Sequence, residues 1–265
     1  MKKTALCEQT LSSESTSPAF DDGKPLYRKH ARERLINYLF TMTAPQLDRL
    51  TRGFSLGLDR YWRLKAVSMS SVEPGSRVLD ICAGTGELSF ILSQTVGPTG
   101  IVVGADFCSN MLKEAEKKAS AGYDNVSFLL ADAKSLPFPD ASFDAVTVAF
   151  GIRNIPDTTM ALREIRRVLK PGGSFLCLEL TQPGNPIIRS IYSWYVFQFM
   201  PFVSGFFLKS RAPYLYLPRS IKAFYQPPEF CGLLERDGFV RVSSASMTLG
   251  LATVYQAHKS NDDGQ

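Results

Sequence analysis

The chain has 265 residues, a formal net charge of +5 and a pI near 8.9. That length can bury one sizeable core, so one domain with trimmings is expected rather than two. The mild basicity comes without a long Lys/Arg run. This argues against nucleic acid as a partner and leaves room for weak attraction to an anionic membrane surface. The cysteines, Cys7, Cys82, Cys108, Cys177 and Cys231, are odd in number and widely spaced, with no Cys-x-x-Cys pair. No metal is therefore expected, and a reducing cytoplasmic location fits.

Residues 1–24 begin like a signal n-region but lack an apolar run behind it, then turn Ser/Pro/Asp-rich; a disordered tail is expected. A single domain is expected from 25 to 260. Its first part, 25–70, reads as a helical cap, with Leu35, Leu39, Phe40, Leu47 and Leu50 at helical spacing. The texture then changes across a core at 71–182. RVLDI (Arg77–Ile81) is a short apolar strand running into Gly84 and Gly86, followed by a helix at 88–94. IVVGAD (Ile101–Asp106) is a second strand, and Ser109 is placed to cap a helix reaching Ser120. Strands follow at 126–132 and 143–150, then a helix at 161–169 stopped by Pro171, Gly172 and Gly173, then a strand at 174–180.

An insert at 183–226 contains the stretch 190–208, nineteen residues with no charge. It is long enough to span a bilayer, but the strands before and after it belong to one sheet, and Pro201 and Gly205 interrupt it. Two readings remain: a buried helix pair over the sheet, or a lid for a prenyl chain touching the inner face of a membrane. The segment 227–258 reads as a helix at 228–237 and strands at 239–247 and 251–258, joined by Thr248, Leu249 and Gly250. So short a link makes a hairpin. The fold class is therefore α/β: a Rossmann-like, mostly parallel seven-stranded sheet with an antiparallel C-terminal strand and helices on both faces.

The strongest local signal is LDICAGTGEL, from Leu79 to Leu88, at a strand-to-helix handover. Gly84 and Gly86 allow a tight turn and close approach to a ligand. Three details argue against a dinucleotide or nucleoside triphosphate. Ser89 stands where a third glycine would be, Asp80 precedes the first glycine by four residues, and no lysine follows. Asp80 can meet a cationic ligand. Asp106 ends the second strand, where an acid accepts hydrogen bonds from a ribose diol. Asp132, followed by Ala133, ends the third and can reach an adenine amino group; Phe107, Met111 and Leu112 can cover the ring. An ammonium, a ribose, an adenine and no phosphate together describe S-adenosylmethionine.

Beyond the glycine loop, the chain resembles the ubiquinone/menaquinone biosynthesis C-methyltransferase family, within the class I methyltransferase fold. The likeness covers residues from about 40 to 257. It rests on SLGLDRYWR, VLDICAGTGEL, LPFPDASFDAVTVAFGIRN, LREIRRVLKPGG and YLYLPRSI. The resemblance implies methylation of a ring carbon of a polyprenylated benzoquinol or naphthoquinol. It also implies cofactor contacts at Thr85, Asp106, Asp132 and Ala133, and at Ala149, where the family usually has Ser. This chain departs from the pattern elsewhere. Leu47 and Thr51 replace Tyr and Asn around a retained Asp48, Asp59 stands where His is common, and Arg211 and Pro213 occur where an acid is common before Tyr214.

Ring carbon becomes nucleophilic when a neighbouring hydroxyl, with a pKa of about 10 like that of Tyr, loses its proton. Arg153 is the expected electrostatic stabiliser, being permanently charged and so no base itself. Asn154 would orient the ring oxygen or a water, Asp48 and Asp59 are the candidate bases, and Tyr216 a hydroxyl donor to the quinol. Trp62 reads as core. Two rivals stay open: a methyltransferase of the same build acting on another small aromatic or polyketide, at carbon or oxygen, and a non-catalytic cofactor-binding subunit of a quinone-synthesis complex. A homodimer is a further expectation for the assembly.

Overall fold

The structure, a computed structural model, describes residues 29–202 and 212–261. The expected N-terminal tail, Arg211 and the end of the charge-free stretch lie outside the described residues. Three helices come first among the described residues: α1 (Lys29–Thr43), α2 (Leu47–Phe54) and α3 (Leu58–Met69). Strands and helices then alternate as β1 (Arg77–Ile81), α4 (Glu87–Val96), β2 (Ile101–Asp106), α5 (Ser109–Ala119), β3 (Val126–Leu130), β4 (Phe143–Ala149), α6 (Thr158–Val168) and β5 (Leu169–Leu180). The remainder is α7 (Pro186–Trp194), a π-helical turn (Tyr195–Phe199), α8 (Ala212–Ala223), α9 (Pro227–Arg236), β6 (Phe239–Met247) and β7 (Ala252–Lys259).

The sheet order is β3-β2-β1-β4-β5-β7-β6. Pairings from β3 through β5 are parallel, whereas β7 runs antiparallel to both β5 and β6. The expected seven-stranded architecture is therefore present. Central strands β1, β2 and β4 are almost wholly buried, while edge strands β3 and β6 expose many of their residues. This is the burial profile of a parallel sheet covered on both faces.

Side chains alternate between those faces. Leu79, Ile81, Val146 and Val148 join Leu162 and Ile165 of α6 and Phe230 and Leu234 of α9. Val78 and Ala145 turn the other way, against Leu88 and Leu92 of α4 and Val67 of α3. Trp62 is core, as expected: it packs on Leu176, Leu178 and Val254, and its indole N–H donates to Thr248 Oγ1 at 2.8 Å.

Local details differ from the sequence expectation. The N-cap of α5 is Cys108 rather than Ser109, because Cys108 is still extended and Ser109 is already helical; the Asp106 carboxylate accepts from the Cys108 N–H at 2.8 Å. Pro171, Gly172 and Gly173 form a bulge inside β5, between Leu169 opposite Phe143 and Ser174 opposite Ala145. The described part of the charge-free stretch, residues 190–202, does not lie buried over the sheet. No residue of α7 is buried, and Val196 and Met200 of the following turn pack on Leu50 and Phe54 of α2. Among the described residues, no helix is long and apolar enough to cross a membrane.

Candidate active site

The carboxyl ends of β1, β2 and β4 open into one cavity of about 430 Å³, walled above by α1, α2, α3, α7 and α8. The edge is the one where open α/β sheets bind ligands. Asp80, Gly84, Thr85, Asp106, Phe107, Met111, Asp132, Ala133, Ala149, Arg153, Asn154, Asp48 and Tyr216 all lie on its wall. Gly86 and Leu112 do not. Gly86 sits behind the loop with φ +85°, where an added Cβ would come within 2.9 Å of Phe128 and Phe90. Its hydrogen is thus required by packing, not by ligand approach. Leu112 is buried away from the cavity, so it does not cover a ring there.

The glycine loop is tied to its neighbours through carboxylates. Gly84 N–H donates to Asp106 Oδ2 at 2.8 Å, so Asp106 braces the loop and the start of α5 at once. Asp80 is 1% exposed; it accepts from Ser89 Oγ at 2.6 Å and Thr147 Oγ1 at 2.9 Å. Burial pushes its carboxyl up to about 6, against the pull of those two hydroxyls and of the Arg63 charge. Burial likewise raises Asp106. A ligand cation beside such acids would recover the energy lost to desolvation. Donors of this kind, with no lysine after the glycines, fit an amino-acid-bearing sulfonium nucleoside. Asp132 is half-exposed on the opposite wall. Its neighbour Lys134, which the sequence reading passed over, pairs with Glu33 of α1 and so draws that helix over the end of β3. Phe107 meets Phe40 edge-on at 6.4 Å, and Met111 is buried with Ala44 and Cys108.

The two candidate bases are engaged elsewhere. Asp48 Oδ1 accepts from Thr85 Oγ1 at 2.6 Å, and its Oδ2 pairs with Lys118 at 2.8 Å. Lys118 also holds Glu87 at 2.8 Å, and Arg52 lies 3.6 Å from that same Glu87. Asp48 therefore latches α2 onto the cofactor loop. Asp59 is buried; it pairs with Arg63 at 2.8 Å and accepts from Ser55 Oγ at 2.8 Å.

Arg153 lies in a 3-10 turn (Ile152–Asn154) directly after β4. It is no surface residue. Its guanidinium pairs with Glu179, which is fully buried on β5, and donates to the Phe150 carbonyl at 2.6 Å and Ser220 Oγ at 3.3 Å. Burial raises the Glu179 carboxyl while Arg153 pulls it back. Glu179 escaped the sequence reading, though a lone acid in the strand SFLCLEL was the available signal, since unpaired Glu is almost never fully buried. Tyr216 Oη donates to Asn154 Oδ1 at 3.0 Å, bringing α8 onto the same turn.

A parallel sheet closed by an antiparallel hairpin, with a glycine loop flanked by buried acids, defines a class: the chain is an S-adenosylmethionine-dependent methyltransferase. Comparison with known proteins narrows this. Residues 28–259 match the ubiE/COQ5 methyltransferase family, and the chain belongs to that family. With it comes the reaction class, methyl transfer to a ring carbon in quinone biosynthesis. Demethylmenaquinone methyltransferase of Staphylococcus aureus strain JH9 is 39% identical over 233 residues, which cover 88% of this chain and 96% of that protein. Two solved structures share the fold. One is an S-adenosylmethionine-dependent methyltransferase from Aquifex aeolicus, with TM-score 0.61, 21% identity, and coverage of 82% of this chain and 97% of that one. The other is Haemonchus contortus phosphoethanolamine N-methyltransferase 2 in complex with S-adenosyl-L-methionine, with TM-score 0.56, 19% identity, and coverage of 76% and 52%.

Proposed function

We propose that this chain methylates the ring carbon of a prenylated quinol, with a naphthoquinol favoured over a benzoquinol, and that it takes the substrate from a membrane surface. The observation that carries this reading is the meeting of Arg153, Asn154 and Tyr216 with an apolar wall made by Leu50, Phe54, Tyr192, Val196 and Met200. The name of the Staphylococcus aureus relative supports the naphthoquinol ring.

S-adenosylmethionine supplies an electrophilic methyl group on a sulfonium. A C–C bond forms from the ring carbon, the S–CH₃ bond breaks, and its electron pair stays on sulfur. The hydroxyl proton passes to a water in the cavity, and the ring carbon's own hydrogen later leaves as a second proton to water, restoring aromaticity. Arg153 holds the phenolate oxygen by charge-assisted hydrogen bonding. Asn154, itself fixed by the Tyr216 hydroxyl, orients that oxygen or a water taking its proton. Asp48 and Asp59, each locked in an ion pair, are left as structural acids rather than bases. Alignment of the ring over the methyl provides much of the remaining acceleration.

Membrane contact is supported by the outer face of α7. Ile187, Ile191 and Trp194 are 70%, 65% and 61% exposed, at the spacing of one helical stripe. The opposite side of the same segment forms the cavity wall, so a prenyl tail could pass between bilayer and site. Ile191→Ser with Trp194→Ser should reduce co-sedimentation with anionic vesicles several-fold while leaving turnover of tail-free quinol unchanged. Equal vesicle binding by both proteins would refute the contact.

The decisive assay supplies methyl-labelled cofactor with demethylated naphthoquinols and benzoquinols, each with and without tails. Label should appear on ring carbon, fastest in tailed naphthoquinol. Label on oxygen, or equal use of unrelated tail-free phenols, would favour a second reading, a methyltransferase of the same build acting on another small aromatic at carbon or oxygen. That reading draws on Leu47 and Thr51, departures from the family pattern that lie on the cavity wall.

A further inference from the structure

The segment SLGLDRYWR is unexplained by the chemistry above, although it places a cation in the cofactor half of the cavity. Arg63 lies on α3 with its side chain 12% exposed. It is on the cavity wall together with Asp80, Cys82 and Ala83. Val78 packs against α3 and α4, and by strand alternation Asp80 points to the same face. The guanidinium makes itself felt there: its charge pulls the Asp80 carboxyl down against the effect of burial.

Among the described residues, three cations line the cavity: Arg63, Lys134 and Arg153. Lys134 is held by Glu33 and Asp132 at the end of β3. Arg153 is anchored by Glu179, the Phe150 carbonyl and Ser220 in the turn after β4, on the quinol side of the cavity. Arg63 gives Nη1 to Asp59 at 2.8 Å and rests its guanidinium carbon 5.0 Å from the centre of the Phe150 ring. Its Nη2 and Nε have no hydrogen-bond partner among the described residues. A guanidinium offers five N–H donors in a rigid fork matched to a carboxylate. Asp59 fixes the fork in place, being itself fixed by Ser55, whose Oγ donates to Asp59 Oδ1 and accepts from the Asp59 N–H at 3.3 Å.

The methionine end of the cofactor is a zwitterion. If its ammonium sits by Asp80, its carboxylate must fall within a few ångströms, near a cation with donors to spare. We propose that Arg63, oriented by Asp59, binds the α-carboxylate of the cofactor. The inference rests on the cofactor site alone and holds whichever ring is methylated.

Calorimetry with the full chain tests it without any quinol. The probes are S-adenosylhomocysteine and its decarboxylated analogue, which keeps the ammonium and loses the carboxylate. Wild type should prefer S-adenosylhomocysteine at least tenfold. Arg63→Gln should weaken S-adenosylhomocysteine about tenfold or more and leave the analogue within threefold, erasing the preference. Arg63→Lys keeps the charge without the fork; it should lose S-adenosylhomocysteine affinity several-fold, again sparing the analogue, and serves alone if the Gln protein does not fold. Equal weakening of both probes in either variant, or no weakening of S-adenosylhomocysteine, overturns the proposal and leaves the carboxylate to the loop backbone.

Discussion

The two halves of the cavity are built by different means. The cofactor half is made of strand ends. Asp80 stands opposite Gly104 on one side and Thr147 on the other, so sheet register alone fixes its position, and buried hydroxyls complete it. The substrate half is made of helix faces. The α7 segment, α2 and α8 meet there through a small apolar cluster that includes Leu50, Tyr192, Val196 and Leu217, with α7 otherwise facing outward. A site on register is rigid because moving one residue breaks a ladder of backbone bonds. A site on loosely seated helices can repack around different rings and tails.

The largest expected break between the halves is Arg153→Ala. Removing a donor aimed at a developing oxyanion costs about 10²–10³-fold in kcat, whereas cofactor affinity by calorimetry should change less than threefold. The same change strands Glu179 as an unpaired buried acid, and losing one partner of a buried pair costs about 3–5 kcal/mol of stability. The double variant Arg153→Met with Glu179→Gln should recover much of that stability and none of the turnover. Recovered turnover in the double variant would mean that the guanidinium never touched the reacting oxygen.

A second test belongs to the cofactor half and reads pH. The Asp80 carboxyl titrates near 6 in the folded protein, well above its ordinary value of 3.8. Its protonated form is the one that folding favours. This stabilisation is full below pH 3.8 and is lost as pH rises through about 6. Asp80→Asn should therefore stabilise the ligand-free protein at pH 7.5, by up to about 3 kcal/mol, read as a raised melting temperature. A cationic ligand reverses the preference, since it favours the charged acid. Wild-type affinity for S-adenosylhomocysteine should weaken as pH falls below 6, by up to tenfold per unit, and Asp80→Asn should flatten that slope apart from a remainder due to Asp106. A slope unchanged by the substitution would remove Asp80 from the ammonium site.

These contrasts also show what could be read before the fold was known. Short apolar strands with acids at their ends announce a buried parallel sheet and its ligand edge, because burial and register are written in local pattern. Asp80, Asp106 and the glycine loop were legible for that reason. The partners of Asp48 were not: Lys118 stands seventy residues away in the last turn of α5, where a lysine is ordinarily a solvated helix end. The pairing of Arg153 with Glu179 needed β4 and β5 to be neighbours, a fact of topology. The outward face of α7 was equally hidden, since a charge-free stretch reads the same whether its aromatic residues face the sheet or the solvent.

The smallest effect expected is at Asp48, and its smallness is informative. Its ion pair with Lys118 leaves the side chains 34% and 31% exposed, and pairs of that kind contribute about 0.2–1 kcal/mol. Asp48→Asn keeps an acceptor for Thr85 and loses only the charge. Cofactor affinity should then fall no more than about fivefold, more at low salt than at high. At saturating cofactor, kcat should stay within about twofold, with its pH profile unmoved. A general base would behave otherwise, because its loss costs about 10²–10⁴-fold and removes the acid limb of the profile. A hundredfold fall in kcat would return Asp48 to the chemistry and make the latch on the glycine loop a secondary role.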